Sequence, residues 1–120
     1  MTTKDLVRGL LVKLGLVPKP DLYVRIVELH PSPEEIKQGQ AFIVGNTKIR
    51  KWICFQCPDG CGEMIHLSLI STTTPHWSIS VDWLGQPTVF PSVRKLDGCK
   101  SHFWIKTGKI DWCNDSGILT

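Results

Sequence analysis

The chain has 120 residues, 42% of them apolar and 21% charged, with a mean hydropathy of −0.02. That balance excludes a disordered tail, a coiled coil and a collagen-like repeat, and no apolar run approaches the roughly 20 residues that span a bilayer. The net charge of +3 is carried by the first twenty residues, where Lys4, Arg8, Lys13 and Lys19 face Asp5 alone. A nucleic-acid binder carries its basic face on the folded body. The body here is charge-balanced, so neither nucleic acid nor membrane is an expected partner.

In chain order, Thr3 can cap a helix with Asp5 in its first turn. Leu6, Leu10, Leu11 and Leu14 then recur at three- and four-residue spacing, as one stripe of an amphipathic helix. Gly15 supplies a stop, and Pro18 and Pro20 make Leu16–Asp21 a linker. The stripe predicts packing on the body or on a copy of itself. Beyond the linker the period changes to two. Strands are expected over Leu22–Leu29, Ala41–Val44, Lys48–Phe55, Glu63–Ile70, Trp77–Leu84 and Thr88–Phe90, with a short helical turn within Pro31–Gly39. His102–Lys106 and Lys109–Trp112 flank Thr107-Gly108, a hairpin signal. Trp77, Ile79, Val81 and Trp83 alternate onto one face. All five tryptophans fall in strand-like stretches, which reads first as core packing. The fold class expected is mainly β: a small antiparallel β domain (21–120) with a zinc knuckle, preceded by one N-terminal amphipathic helix and linker (1–20).

The cysteines narrow the chemistry. Cys57-Pro58-Asp59-Gly60-Cys61-Gly62 sets two thiols across a tight turn, so both sulfurs can face one metal. Cys99 and His102 form a second pair with C-x-x-H spacing. Zinc takes four tetrahedral nitrogen or sulfur ligands, and two such half-sites supply them. Cys57, Cys61 and Cys99 are therefore expected ligands of a structural Zn²⁺. The fourth is His102, or Cys54, which makes C-x-x-C with Cys57, or Asp59. A filled site of this kind holds a fold together and does not activate water. His66 and His76 have no partner at ligand spacing, and His30 opens a proline-rich turn. Cys113 reads as a buried thiol. Five cysteines with no visible export signal suggest reduced thiols and a cytoplasmic setting.

Ser92 follows a proline at a strand end, and Ser101 and His102 follow Cys99. Loops drawn together by a metal would let a serine meet a histidine base, the requirement for a serine nucleophile. Turn chemistry is the competing reading of Ser92. One conflict is explicit: His102 cannot be both a metal ligand and a free general base. If it is the base, Cys54 or Asp59 must complete the metal site.

These residues resemble a bacterial family of small domains, long of unknown function. Residues 57–62 look like its C-P-C-G-C-G knuckle. The strand at Trp77, Pro91-Ser92-Val93 and Cys99-Lys100-Ser101-His102-Phe103-Trp104-Ile105 match its second half, over roughly residues 24–113. Members sit in gene cassettes with ubiquitin-like proteins and their activating and conjugating enzymes. The resemblance implies metal binding and a serine-peptidase activity on the ubiquitin-like protein, with Ser92, His102 and the neighbouring Ser101 as catalytic candidates. A non-catalytic zinc adaptor recruiting the ubiquitin-like protein or its conjugating enzyme is the alternative. The partners it implies are that protein and its enzymes, and the helix stripe suggests a homo-oligomer. Asp59 stands where the family has cysteine.

Overall fold

The computed structural model describes residues 3–15, 20–46 and 48–117. Residues 16–19 of the expected linker lie outside that set. The order of elements is α1 (Thr3–Lys13), β1 (Tyr23–Val27), a 3₁₀ turn (Pro33–Glu35), β2 (Gln40–Gly45), β3 (Arg50–Gln56), β4 (Met64–Ser68), β5 (Ser78–Val81), β6 (Pro87–Arg94), β7 (His102–Lys106) and β8 (Lys109–Trp112). The mainly β expectation holds: strands β1–β4 form one four-stranded sheet in sequence order, and β5–β8 form a second. All pairings are antiparallel except β1 with β2. A parallel pair needs a connection of about a dozen residues, and the segment 28–39 that carries the 3₁₀ turn provides it.

Period-two alternation builds the core. Ala41, Ile53, Phe55, Ile65 and Leu67 of the first sheet meet Val89, Val93, Phe103 and Ile105 of the second in one buried cluster. The Phe55 and Phe103 rings cross the sheet interface edge to face, with centroids 6.3 Å apart, an arrangement that adds to simple area burial. β2 is buried on both faces. Its Phe42 and Val44 join Cys54 of β3 and Ile36 in a second cluster on the outer side of the first sheet.

The β7–β8 turn ties the sheets together. Thr107 and Gly108 both have positive φ, 48° and 76°, the requirement of a tight two-residue hairpin. The Gly108 carbonyl accepts bonds from the Asp21 and Leu22 N–H groups at 2.7 and 2.8 Å. A Cβ on Gly108 would stand 2.7 Å from the Leu22 carbonyl oxygen, so a side chain there would break this junction.

Three expectations are corrected. Thr3 lies within the first turn of α1 and not before it. Of the two packings expected for the leucine stripe, the one on the body is corrected: Leu6, Leu10 and Leu14 are exposed, and the helix meets the body through Arg8. Arg8 donates to the Leu84 carbonyl at 2.9 Å, lies 4.0 Å over the Tyr23 ring, and pairs with Asp5. The third correction concerns the tryptophans. Trp77 packs on the core, while Trp83 and Trp112 are exposed.

A chain beginning at Asp21 is expected to keep a single cooperative unfolding transition, because α1 adds one buried arginine and no leucine to the interior. Loss of cooperativity in that chain, followed by circular dichroism, would place the helix inside the folding unit.

Candidate functional site

The end of β6 and the start of β7 assemble the first constellation. Arg94 pairs with His102 and Val93 with Phe103, but the next registered pair is Val89 with Ile105. Three residues of β6 thus stand opposite one of β7. Such a bulge bends the strand and re-aims its side chains. Val93 and Phe103 point into the core, so Ser92, Arg94 and His102 share the outer face. The Ser92 Oγ lies 2.9 Å from Nε2 of His102.

A third residue completes the chain. After β8, residues 114–117 turn back beneath β7. The turn is fixed by the Cys113 N–H donating to the His102 carbonyl at 2.9 Å, and by the Gly117 N–H donating to the Lys100 carbonyl at 2.8 Å. The Ser116 hydroxyl accepts the His102 N–H at 3.0 Å. This turn brings Asp115 Oδ1 to 2.6 Å from His102 Nδ1. With Nδ1–H donating to Asp115, Nε2 is left to accept from the Ser92 hydroxyl. Arg94 bonds Asp115 through Oδ2. Its Nη2 also lies 2.7 Å from His102 Nδ1, where two donors would meet, so the guanidinium acts on the carboxylate. The hydrogen bond from His102, aided by the Arg94 charge, holds the Asp115 carboxyl below its usual range. Asp115 therefore stays an acceptor well into acid conditions.

The second constellation is built by the knuckle and the loop before β7. Cys57, Asp59, Cys61 and Cys99 each present a ligand atom, all within 4.8 Å of one another. The Asp59 Oδ1 accepts the Cys61 N–H at 2.8 Å, and the Cys57 N–H donates to the Glu63 carbonyl at 2.8 Å. Lys95 bonds Glu63 at 2.7 Å and ties the two loops. Gly98, at φ +59°, turns the chain into Cys99. The Cys57 and Cys99 sulfurs are 3.6 Å apart. Tetrahedral zinc with bonds of about 2.3 Å sets two sulfurs about 3.8 Å apart, so the donor set is compatible with a structural zinc. Hydrogen bonding from the Cys61 thiol holds the Asp59 carboxyl far below its usual range. Burial pushes the Cys57 thiol up to about 12, and the neighbouring Asp59 carboxylate raises Cys61. The cluster is short of positive charge, which a divalent cation would supply.

The structure separates residues that the spacing had left together. Both His102 ring nitrogens face Ser92 and Asp115, and Asp59 occupies the fourth corner of the metal cluster. Ser101, a catalytic candidate by sequence, is buried at that cluster instead. Its hydroxyl donates to Asp59 Oδ2 at 3.1 Å and lies 3.2 Å from the Cys99 sulfur. Cys54 packs in the outer cluster, apart from Cys57 in the main core, and meets His66 and His30. The spacing predicts no ligand partner for His66 and only a turn at His30, and the sheet brings both to Cys54. Cys113 gathers with His102 and Asp115 within 4.8 Å. Asp115 is the residue sequence reasoning missed. No motif marks it, although its place two residues past the strand partner of His102 follows from the hairpin.

Fold and sites define a small two-sheet β domain with a serine–histidine–aspartate chain built from β6, β7 and the turn after β8, and a cysteine-rich, metal-type cluster before the start of β7. The family model described as bacterial ubiquitination-like system serine protease (BubE) matches residues 27–113, and the chain belongs to that family. The match includes Ser92, His102 and the four cluster residues, and ends just before Asp115. Comparison with curated proteins and with solved structures finds no match. Among the described residues, no helix is long and apolar enough to cross a membrane.

Two outcomes test the cluster. Cys99→Ser is expected to lose the metal and about 3 kcal/mol of stability, which for a domain of this size lowers the melting midpoint by more than about 10 °C. An unchanged midpoint with full zinc content would remove Cys99 from the ligand set. The second outcome is pH-dependent. A thiol whose pKa rises from 9.0 to about 12 on folding binds its proton more tightly when folded. Its contribution is complete below pH 9 and is lost as pH rises towards 12. Metal-stripped protein should therefore lose more stability between pH 8 and pH 10 than the zinc-loaded form, whose Cys57 is already a thiolate. Equal losses in the two forms would argue against Cys57 as a ligand.

Proposed function

We propose that this chain is a serine peptidase that cleaves at the C-terminal tail of a ubiquitin-like protein. The observation that carries the reading is the unbroken hydrogen-bonded chain from Ser92 Oγ through the His102 ring to Asp115. Membership in a family of ubiquitination-like system serine proteases supplies the substrate context. An adaptor would have no use for a serine held on an imidazole that a carboxylate orients, so the geometry favours the enzyme.

In this mechanism Ser92 Oγ attacks the carbonyl carbon at the cleavage point, and its proton passes to His102 Nε2. The imidazolium formed is stabilised by Asp115, which also fixes the tautomer. Collapse of the tetrahedral intermediate breaks the C–N bond, and His102 returns the proton to the leaving amine. That leaves an ester on Ser92. A water then gives a proton to His102 and attacks the ester, which releases the carboxylate tail and restores the hydroxyl. Arg94 is a positioning residue, because it bonds the Asp115 carboxylate and would not touch the substrate's reacting atoms. Phe90 and Trp104, with ring centroids 5.9 Å apart and each two residues along its strand from Ser92 or His102, would serve as an apolar shelf for an extended tail. Zinc held by Cys57, Asp59, Cys61 and Cys99 would fix the loop from which β7 starts, and takes no part in the chemistry.

Ser92→Ala is expected to lower kcat on a ubiquitin-like protein fused at its tail to a reporter by about 10⁴–10⁶-fold. Zinc content and melting midpoint should be unchanged. Asp115→Asn, which disturbs the tautomer, is expected to cost on the order of 10²–10⁴, since Asp115 is more exposed than the aspartate of the best-known triads. Because Asp115 is held below its usual range, the pH profile of activity should show no step at the ordinary carboxylate range near pH ~4. Cleavage by Ser92→Ala at the wild-type rate would reject the peptidase reading.

A further inference from the structure

On the outer face of the first sheet, three further donors converge. Cys54 of β3 and His66 of β4 are direct cross-strand partners. His30 comes from the connection after β1. The Cys54 sulfur lies 3.2 Å from Nδ1 of His66 and 3.9 Å from Nδ1 of His30. All three donor atoms fall within 4.8 Å of one another. A tetrahedral zinc with bonds of about 2.3 Å to sulfur and about 2.0–2.1 Å to nitrogen sets sulfur and nitrogen about 3.6 Å apart, and the two observed distances bracket that value.

A thiol has one proton to give, and its sulfur accepts only weakly. Two imidazole nitrogens converging on one sulfur from different segments of the chain is an arrangement that hydrogen bonding rewards little. A shared cation would account for both. The surroundings also suit a metal site. The sulfur sits fully buried over Ile36, Phe42 and Val44, while the two imidazoles stand at the exposed rim. The Trp52 ring flanks His30, with centroids 6.2 Å apart, and limits where that imidazole can swing.

We propose that His30, Cys54 and His66 form a second metal site for a borderline-soft divalent ion of the zinc class. The site is independent of the knuckle cluster, because the two donor sets share no residue and Cys54 and Cys57 belong to different buried clusters. It differs in kind as well. Three protein donors leave one tetrahedral position for water or an outside ligand, the pattern of an open zinc site as opposed to a closed structural one.

The test is zinc content per chain in full-length protein, loaded with zinc and dialysed against zinc-free buffer, for the wild type, His30→Ala and His66→Ala. Both histidines are exposed, so both variants should keep the wild-type fold, checked by circular dichroism. Each is expected to hold one zinc fewer than the wild type. Cobalt loading gives a second readout: the wild-type-minus-variant difference spectrum should contain thiolate-to-cobalt charge transfer from Cys54. The comparison does not depend on the knuckle, since Cys99→Ser should still lose one zinc when His66→Ala is added to it. Zinc content in either histidine variant equal to that of the wild type would overturn the proposal.

Discussion

The pairing of β6 with β7 is the constraint on which the rest of the molecule depends. On its inner side it sets Val93 and Phe103 into the core, and Phe103 carries the edge contact to Phe55 that joins the two sheets. On its outer side the same register sets Arg94 beside His102, and the bulge between Val89 and Val93 turns Ser92 towards Nε2. A one-residue slip would exchange the two faces. It would bury the histidine and expose the phenylalanine, so the proposed chemistry inherits its precision from the core.

The metal-type cluster sits at the loop from which β7 starts. Ser101 and His102 are neighbours in sequence but point to opposite sides. Ser101 is buried against Asp59 and Cys99, while His102 meets Ser92 and Asp115. Fixing the first therefore fixes the direction of the second. The knuckle and the loop before β7 are joined by the Lys95–Glu63 pair and by the four converging donors. The two constellations differ in charge: the Asp115 carboxylate is met by Arg94, while the cysteine cluster is compatible with a divalent cation.

Much of this was legible from particular residues. Thr107-Gly108 fixed the β7–β8 hairpin, and both of its strands were placed with their observed ends. The same hairpin sets residue 113 across from His102, so a carboxylate two residues later could have been sought as the orienting group. Cys54 could have been parted from Cys57 by strand period alone, because residues three apart on a strand face opposite ways. Other features depend on tertiary structure. The bulge that redirects Ser92 leaves no mark in the sequence, and Pro91 suggested that β6 ends at Phe90, whereas it runs to Arg94. The leucines of α1 promised a buried stripe by periodicity, yet Arg8 reaches the body first through Leu84 and the Tyr23 ring. His30 and His66 have no spacing relation to Cys54 that a linear reading could recognise, since the sheet brings them together.

The central claim is that Ser92 is a nucleophile activated by His102. Its most direct measurement is reaction of the native protein with a fluorophosphonate, which modifies activated serines, followed by peptide mapping of the adduct. The account requires one adduct per chain, on Ser92, and its loss when His102 is replaced by alanine. An unmodified protein, or an adduct on Ser101 or another hydroxyl with Ser92 intact, would contradict it.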